Sequence, residues 1–139
     1  MKNPNETRSE EQPRDGYPQR VRLLARCAGE LLLEVGAAPH TQGFRMLQYG
    51  MMLLSEQPIE VHIGLKNSLY PLLEELTGRP SAEHAIRDTI RLSWQRKPAP
   101  PFAALFPSER VPSNAQYLYA MSALLKKRMR EPDRYTEPR

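Results

Sequence analysis

The residues that could do chemistry gather in one stretch of this sequence. In Ser81–Arg96, Glu83, His84, Arg87, Asp88, Arg91 and Gln95 recur at helical spacing, while Ala82, Ala85, Ile86, Thr89, Ile90, Ser93 and Trp94 form the complementary apolar stripe. A helix of this kind anchors itself by one side and presents polar groups on the other. Guanidinium groups donate paired hydrogen bonds to base edges or phosphates, and a carboxylate accepts from an exocyclic amine. That is binding chemistry. Bond-making chemistry has no comparable support: no GxSxG, phosphate-loop or GxGxxG pattern occurs, so we expect neither an enzyme nor a bound cofactor. His40, His62 and His84 stand 22 residues apart without companion ligands, which argues against a metal site. Cys27, the single cysteine, lies inside a helical pattern and reads as a buried structural thiol.

The elements that must position this stretch are helical almost throughout. Val21, Leu24, Ala28, Leu31 and Leu32 mark a helix over Arg20–Val35, followed by Gly36 as a C-terminal glycine. Thr41 is a candidate N-cap for a second helix carrying Phe44, Leu47, Met51 and Leu54, stopped at Gln57-Pro58. Met46, Met51 and Met52 read as core fillers. Leu65, Leu69, Leu72, Leu73 and Leu76 place a third helix over about 65–76, kinked at or beginning at Pro71. Thr77-Gly78-Arg79-Pro80 is a tight turn before the Ser81–Arg96 helix. Beyond it, Lys97–Ser113 is proline-rich with a short helical candidate at Phe102–Phe106. A last helix runs from Ser113 or Asn114 to Met129 and ends on Lys126, Lys127 and Arg128, where cations meet the negative end of the helix dipole. The one strand candidate, QPIEVHIG, is too short and solitary to build a sheet. The expected fold is all-α, a compact bundle of five or six short helices.

A short helix, a glycine-containing turn and a longer amphipathic helix make the helix-turn-helix pattern, here over about 65–96. The 139 residues allow one domain of ordinary size. We expect polar, disordered tails at 1–20 and 130–139 around a helical domain at 21–129. No leader-like or membrane-spanning apolar run is present, which suggests a cytoplasmic protein without a membrane partner. The net charge of +4 is not spread over the chain: Lys97–Arg139 holds eight basic and four acidic residues, and the rest is balanced. A general cationic coat is excluded, so any nucleic-acid contact must use a local face or the C-terminal part.

The order of local patterns is more specific. Gly36-Ala37-Ala38-Pro39-His40-Thr41-Gln42-Gly43-Phe44, Leu69-Tyr70-Pro71, the helix SAEHAIRDTIRLSW and Pro112-Ser113-Asn114 followed by Tyr117 resemble, in order, the signatures of one family. This is the C-terminal DNA-binding effector domain of the stage-zero sporulation response regulator, and the likeness spans about Val21–Arg128. The resemblance implies a six-helix domain, double-stranded DNA as partner, and a last helix that contributes to a homodimer. The DNA-binding positions it implies are Lys66, Asn67, Arg79, Ser81, Glu83, His84, Arg87 and Arg91. The phosphoacceptor receiver that family members carry has no room in these 139 residues, so control by phosphorylation is expected to act outside this polypeptide.

The departures lie on the reading face. Ser81 and His84 stand where the family has arginines, Asp88 where it has histidine, and Lys66-Asn67 where it has Thr-Lys; Glu83 and Arg87 match. Arginine reads guanine through a two-pronged contact worth about 1–3 kcal/mol of discrimination. Serine and histidine cannot form that fork. The expectation is a changed or poorly defined target sequence, with Lys66, Arg79, Arg87, Arg91 and Arg96 left for the phosphates. The alternative is a protein-interaction module that kept the fold and lost sequence-specific DNA binding.

Overall fold

In the computed structural model, which describes residues 16–56, 65, 67–96 and 100–131, one helix is surrounded by the others. This is α2 (Gln42–Glu56), in which Gly43, Met46, Leu47, Gly50, Met51, Leu54 and Ser55 are all buried. Those residues form one broad stripe, and Phe44, Gln48, Tyr49, Met52 and Leu53 beside it are half-buried, so α2 meets partners on several sides. It packs against α1 (Gly16–Glu34), α3 (Leu69–Thr77), α4 (Ala82–Gln95) and α6 (Asn114–Met129), with the short α5 (Pro100–Leu105) leading into α6. The fold is all-α, six helices with a helix-turn-helix at α3–α4, and no strand occurs among the described residues. The QPIEVHIG segment and His62 lie outside the described residues.

The helix ends follow from sequence chemistry. Gly36 has φ 91°, which a side chain would resist, and completes a six-to-one turn: Ala37 N–H donates to Leu32 O at 2.9 Å and Gly36 N–H to Leu33 O at 3.0 Å. Leu32 and Ala37 then both enter the core. At the other end of the chain, the Ser113 hydroxyl accepts from Gln116 N–H at 3.1 Å and the Gln116 side-chain oxygen accepts from Ser113 N–H at 2.9 Å, a reciprocal box that starts α6 at Asn114. α1 starts at Gly16, ahead of the Arg20 that apolar periodicity marks.

The third helix departs from its expected outline. It begins at Leu69 rather than near Leu65, which puts Pro71 in the first turn, where an absent amide hydrogen costs no helical bond. Its buried face is Leu69, Tyr70 and Leu73, while Leu72 and Leu76 are 38% and 53% exposed. The burial arc is turned toward Tyr70, whose hydroxyl accepts a hydrogen bond from Asn114 at the head of α6. Cys27 is fully buried, as expected; Met46 and Met51 are too, with Met52 partly so.

The proline-rich connection is tied down by rings. Phe102 of α5 lies 5.1 Å from Phe106 and 6.0 Å from each of Trp94 and Tyr117, and Phe106 stacks on Tyr117 at 5.4 Å. The Tyr117 hydroxyl at this junction is buried and meets no hydrogen-bond partner, and burial pushes its pKa well above the usual phenol value. The folded state therefore favours the neutral phenol. Its stability is intact below about pH 10, where the unfolded tyrosine ionises, and declines as pH rises further. Tyr117→Phe removes an unsatisfied group at constant shape. It should raise stability by about 1 kcal/mol at neutral pH and move alkaline unfolding upward, as read from urea melts at two pH values. Identical melts for both proteins would show that the hydroxyl has a partner.

Candidate nucleic-acid interface

The reading unit starts from how α3 stops. Gly78 adopts φ 70°, and the N–H groups of Gly78 and Arg79 both donate to the Glu74 carbonyl, at 2.9 and 3.2 Å. The chain then turns through Arg79, Pro80 and Ser81 into α4. Ser81 itself is left-handed, φ 61° and ψ 49°, and its side chain caps nothing. The first amide of α4, Ala82 N–H, is satisfied instead by the Glu74 carboxylate at 2.9 Å.

The seat of α4 is the Gly36–Phe44 segment. Ser93 donates from its hydroxyl to Gly36 O at 2.9 Å, and the Thr89 hydroxyl lies 2.9 Å from that of Thr41. Thr41 directly precedes α2, and its own hydroxyl donates to Ala38 O at 2.7 Å. Gly43 has no side chain because the Ala85 carbonyl and the Thr89 hydroxyl occupy the place where one would sit. These contacts bury Ala82, Ala85, Ile86, Thr89, Ile90 and Ser93 and leave the opposite side of α4 outward. Trp94 is half-buried at the edge of that stripe.

A second brace comes from α6. The Asn114 side-chain amide donates to Tyr70 OH at 3.1 Å and to Glu83 O at 3.0 Å, joining α3, α4 and α6 at one point. Tyr70 is pushed above its usual pKa, by burial first, with the Asn114 hydrogen bond acting in the opposite direction. Two of the sequence signatures, Leu69-Tyr70-Pro71 and Pro112-Ser113-Asn114, thus meet each other in space.

The outward side of α4 divides in two. Glu83, Arg87 and Arg91 border a groove of about 930 Å³ whose far wall includes Phe106, Arg110, Val111 and Asn114. Within it Arg87 is paired with Glu83 at 2.9 Å, one helical turn away. His84 and Asp88 are exposed and do not line the groove. Arg79 and Ser81 are exposed in the turn, and Asn67 is exposed just ahead of α3. Lys66 lies outside the described residues. Arg96, immediately after α4, is exposed.

Three residues of this region escape a sequence reading of the site. Arg110 belongs to the proline-rich connection, and only the folding back of that segment brings it beside Arg87 and Arg91. Asn114 carries a signal, since it sits in a recognisable motif, but the motif does not say that its amide reaches α4. Glu74 carries none: it is one of two consecutive glutamates, and its neighbour Glu75 is exposed.

A model of the family described as Sporulation initiation factor Spo0A C terminal matches residues 29–125, a span running from within α1 into α6. No curated protein matches the chain.

Proposed function

This chain belongs to the sporulation initiation factor Spo0A C-terminal family, and from that premise we propose that it is a DNA-binding transcriptional regulator domain that reads duplex DNA with α4. The family is one of DNA-binding effector domains, which supports a DNA partner. The observation that carries the reading for this chain is the division of α4: six residues are locked against α2 and its neighbours, and a polar side with Arg87 and Arg91 is left to enter a major groove. In the proposal, Glu83, His84 and Arg87 face base edges. Arg79, Arg91, Asn67 and Lys66 face phosphates, with Ser81 at the entry of the helix. Arg110 adds a phosphate contact from the far wall of the groove. Ser81 and His84 make the preferred sequence different from that of family members with arginines there.

A homodimer through α6 is part of the same proposal. The inward residues Tyr117, Leu118, Met121, Ser122 and Leu125 are committed to the core, so the dimer face would be the outward side at Gln116, Ala123 and Lys127. That side is weakly apolar, and the dimer should form on DNA rather than free in solution; sedimentation with and without duplex tests this. No helix among the described residues is long and apolar enough to cross a membrane. A cytoplasmic location is in keeping with a DNA partner.

One observation favours the second reading, a protein-interaction module. Arg87, the arginine shared with the family's recognition helix, is paired with Glu83 across one helical turn, so a base contact must first break that ion pair, at a cost of about 0.5 kcal/mol. Fluorescence anisotropy against random-sequence duplex at several salt concentrations separates the two. The DNA reading expects affinity that falls linearly with log salt, each phosphate contact contributing about 0.9 to the slope. Arg87→Ala should weaken binding to a preferred duplex selected from a random pool about 5- to 150-fold, with little change in melting temperature. Arg110→Ala should lower the salt slope by about one and leave sequence preference alone. No binding at low salt, with capture of a specific protein partner, would establish the interaction module instead.

A further inference from the structure

We infer that Glu74 is the positioning residue of the reading unit, the side chain that fixes the angle at which α4 leaves the turn; the inference rests on the DNA-binding reading above. Glu74 acts at both ends of the turn at once. Its carbonyl takes the Gly78 and Arg79 amides that close α3. Its carboxylate takes the Ala82 amide that opens α4. A helix start is ordinarily capped by the residue just before it, and Ser81 is a residue type suited to that task. Here Ser81 is left-handed, so its hydroxyl makes no cap bond. A self-capped α4 would lose the direct side-chain tie from α3 to its first amide and keep only its packing and the Asn114 brace. A start capped from Glu74 is tied to the preceding helix, and the carboxylate also favours the positive end of the α4 dipole.

The tie matters because the first turn of a recognition helix supplies most base contacts. Glu83 and His84 follow Ala82 directly. Without the tie, that turn samples orientations that do not fit the groove, and affinity falls in proportion to the fraction of molecules correctly posed. The adjacent Glu75, exposed to solvent, serves as the control.

The test uses the whole chain and separates orientation from stability. Glu74→Gln keeps an acceptor oxygen at the same reach and should bind a preferred duplex selected from a random-sequence pool within about threefold of wild type. Glu74→Asp is one methylene short and should resemble Glu74→Ala, each about tenfold weaker. Both should speed hydrogen exchange at the Ala82 amide. Glu75→Ala should change neither. Because Glu74→Ala also loosens the fold, it is paired with Tyr117→Phe, the buried stabilising change described above, which should return the melting temperature toward wild type without touching the interface. The Glu74→Ala/Tyr117→Phe protein should remain about tenfold weak despite restored stability. Wild-type affinity in that double variant would overturn the positioning role while leaving DNA binding intact. A wild-type protein that binds no duplex at low salt would overturn the DNA-binding reading, and this inference with it.

Discussion

Gly43→Ala should abolish DNA binding and destabilise the protein by about 3 kcal/mol or more. The added methyl would overlap the Ala85 carbonyl oxygen and the Thr89 hydroxyl, and the first of these is backbone inside α4. A helix backbone cannot step aside as a side-chain tip can. Either α2 and α4 separate, or α4 shifts along its axis. Each outcome breaks the Thr41–Thr89 and Ser93–Gly36 hydrogen bonds, at about 1 kcal/mol apiece. Gly50→Ala is the informative comparison. Its methyl would meet the end of the Leu118 side chain at 3.0 Å, and that leucine can rotate away. Urea denaturation of both variants checks the argument. A Gly43→Ala protein no less stable than Gly50→Ala would mean that the α2–α4 approach is not tight.

Phe102→Ala should cost about 3–5 kcal/mol, the range for emptying a fully buried aromatic site. Phe102 is 0% exposed and touches Trp94, Phe106 and Tyr117, so one truncation removes the partner of three other rings. Collapse into the vacated space is opposed by α4 and α6, which hold Trp94 and Tyr117 in place. The consequence reaches the interface, because the proline-rich connection carrying Arg110 would lose its anchor. Phe106→Ala, at a site 9% exposed, should cost less. Equal losses in chemical denaturation would indicate that Phe106, not Phe102, centres the ring cluster.

How much of this was legible in the sequence depended on whether the signal was local. The α4 stripe could be read residue by residue, since a helix with one solvated side writes its burial at a period of 3.6. The α6 start at Asn114 could be read from Ser113 because its capping box is completed within four residues. Leu72 and Leu76 misled for the complementary reason. Their spacing from Leu69 is helical, but α3 turns Leu69, Tyr70 and Leu73 inward against α2 and α4, and those partners lie outside its own segment. The candidate interface divides along the same line. Arg87 and Arg91 sit on a periodic element and could be named; Arg110 and Glu74 take their significance from where other segments fold. The left-handed conformation of Ser81 was hidden as well, since it goes with the capping of α4 by Glu74, which no residue type at the turn announces.

The brace made by Asn114 also sets an order of assembly. On a chain synthesised from its N-terminus, α3 and α4 are complete at Gln95, whereas Asn114, Tyr117, Leu118, Met121 and Leu125 follow 19 to 30 residues later. At ordinary rates of about 5–20 residues per second, that is a delay of about 1–6 seconds. Throughout it the nascent polypeptide holds all of α4, with its Gly36–Phe44 seat and Glu74, but not the Asn114 brace. The candidate interface encoded in the middle of the chain is therefore finished last, and a product ending before α6 would carry Arg87 and Arg91 on a helix seated by α2 and Glu74 but lacking its third support.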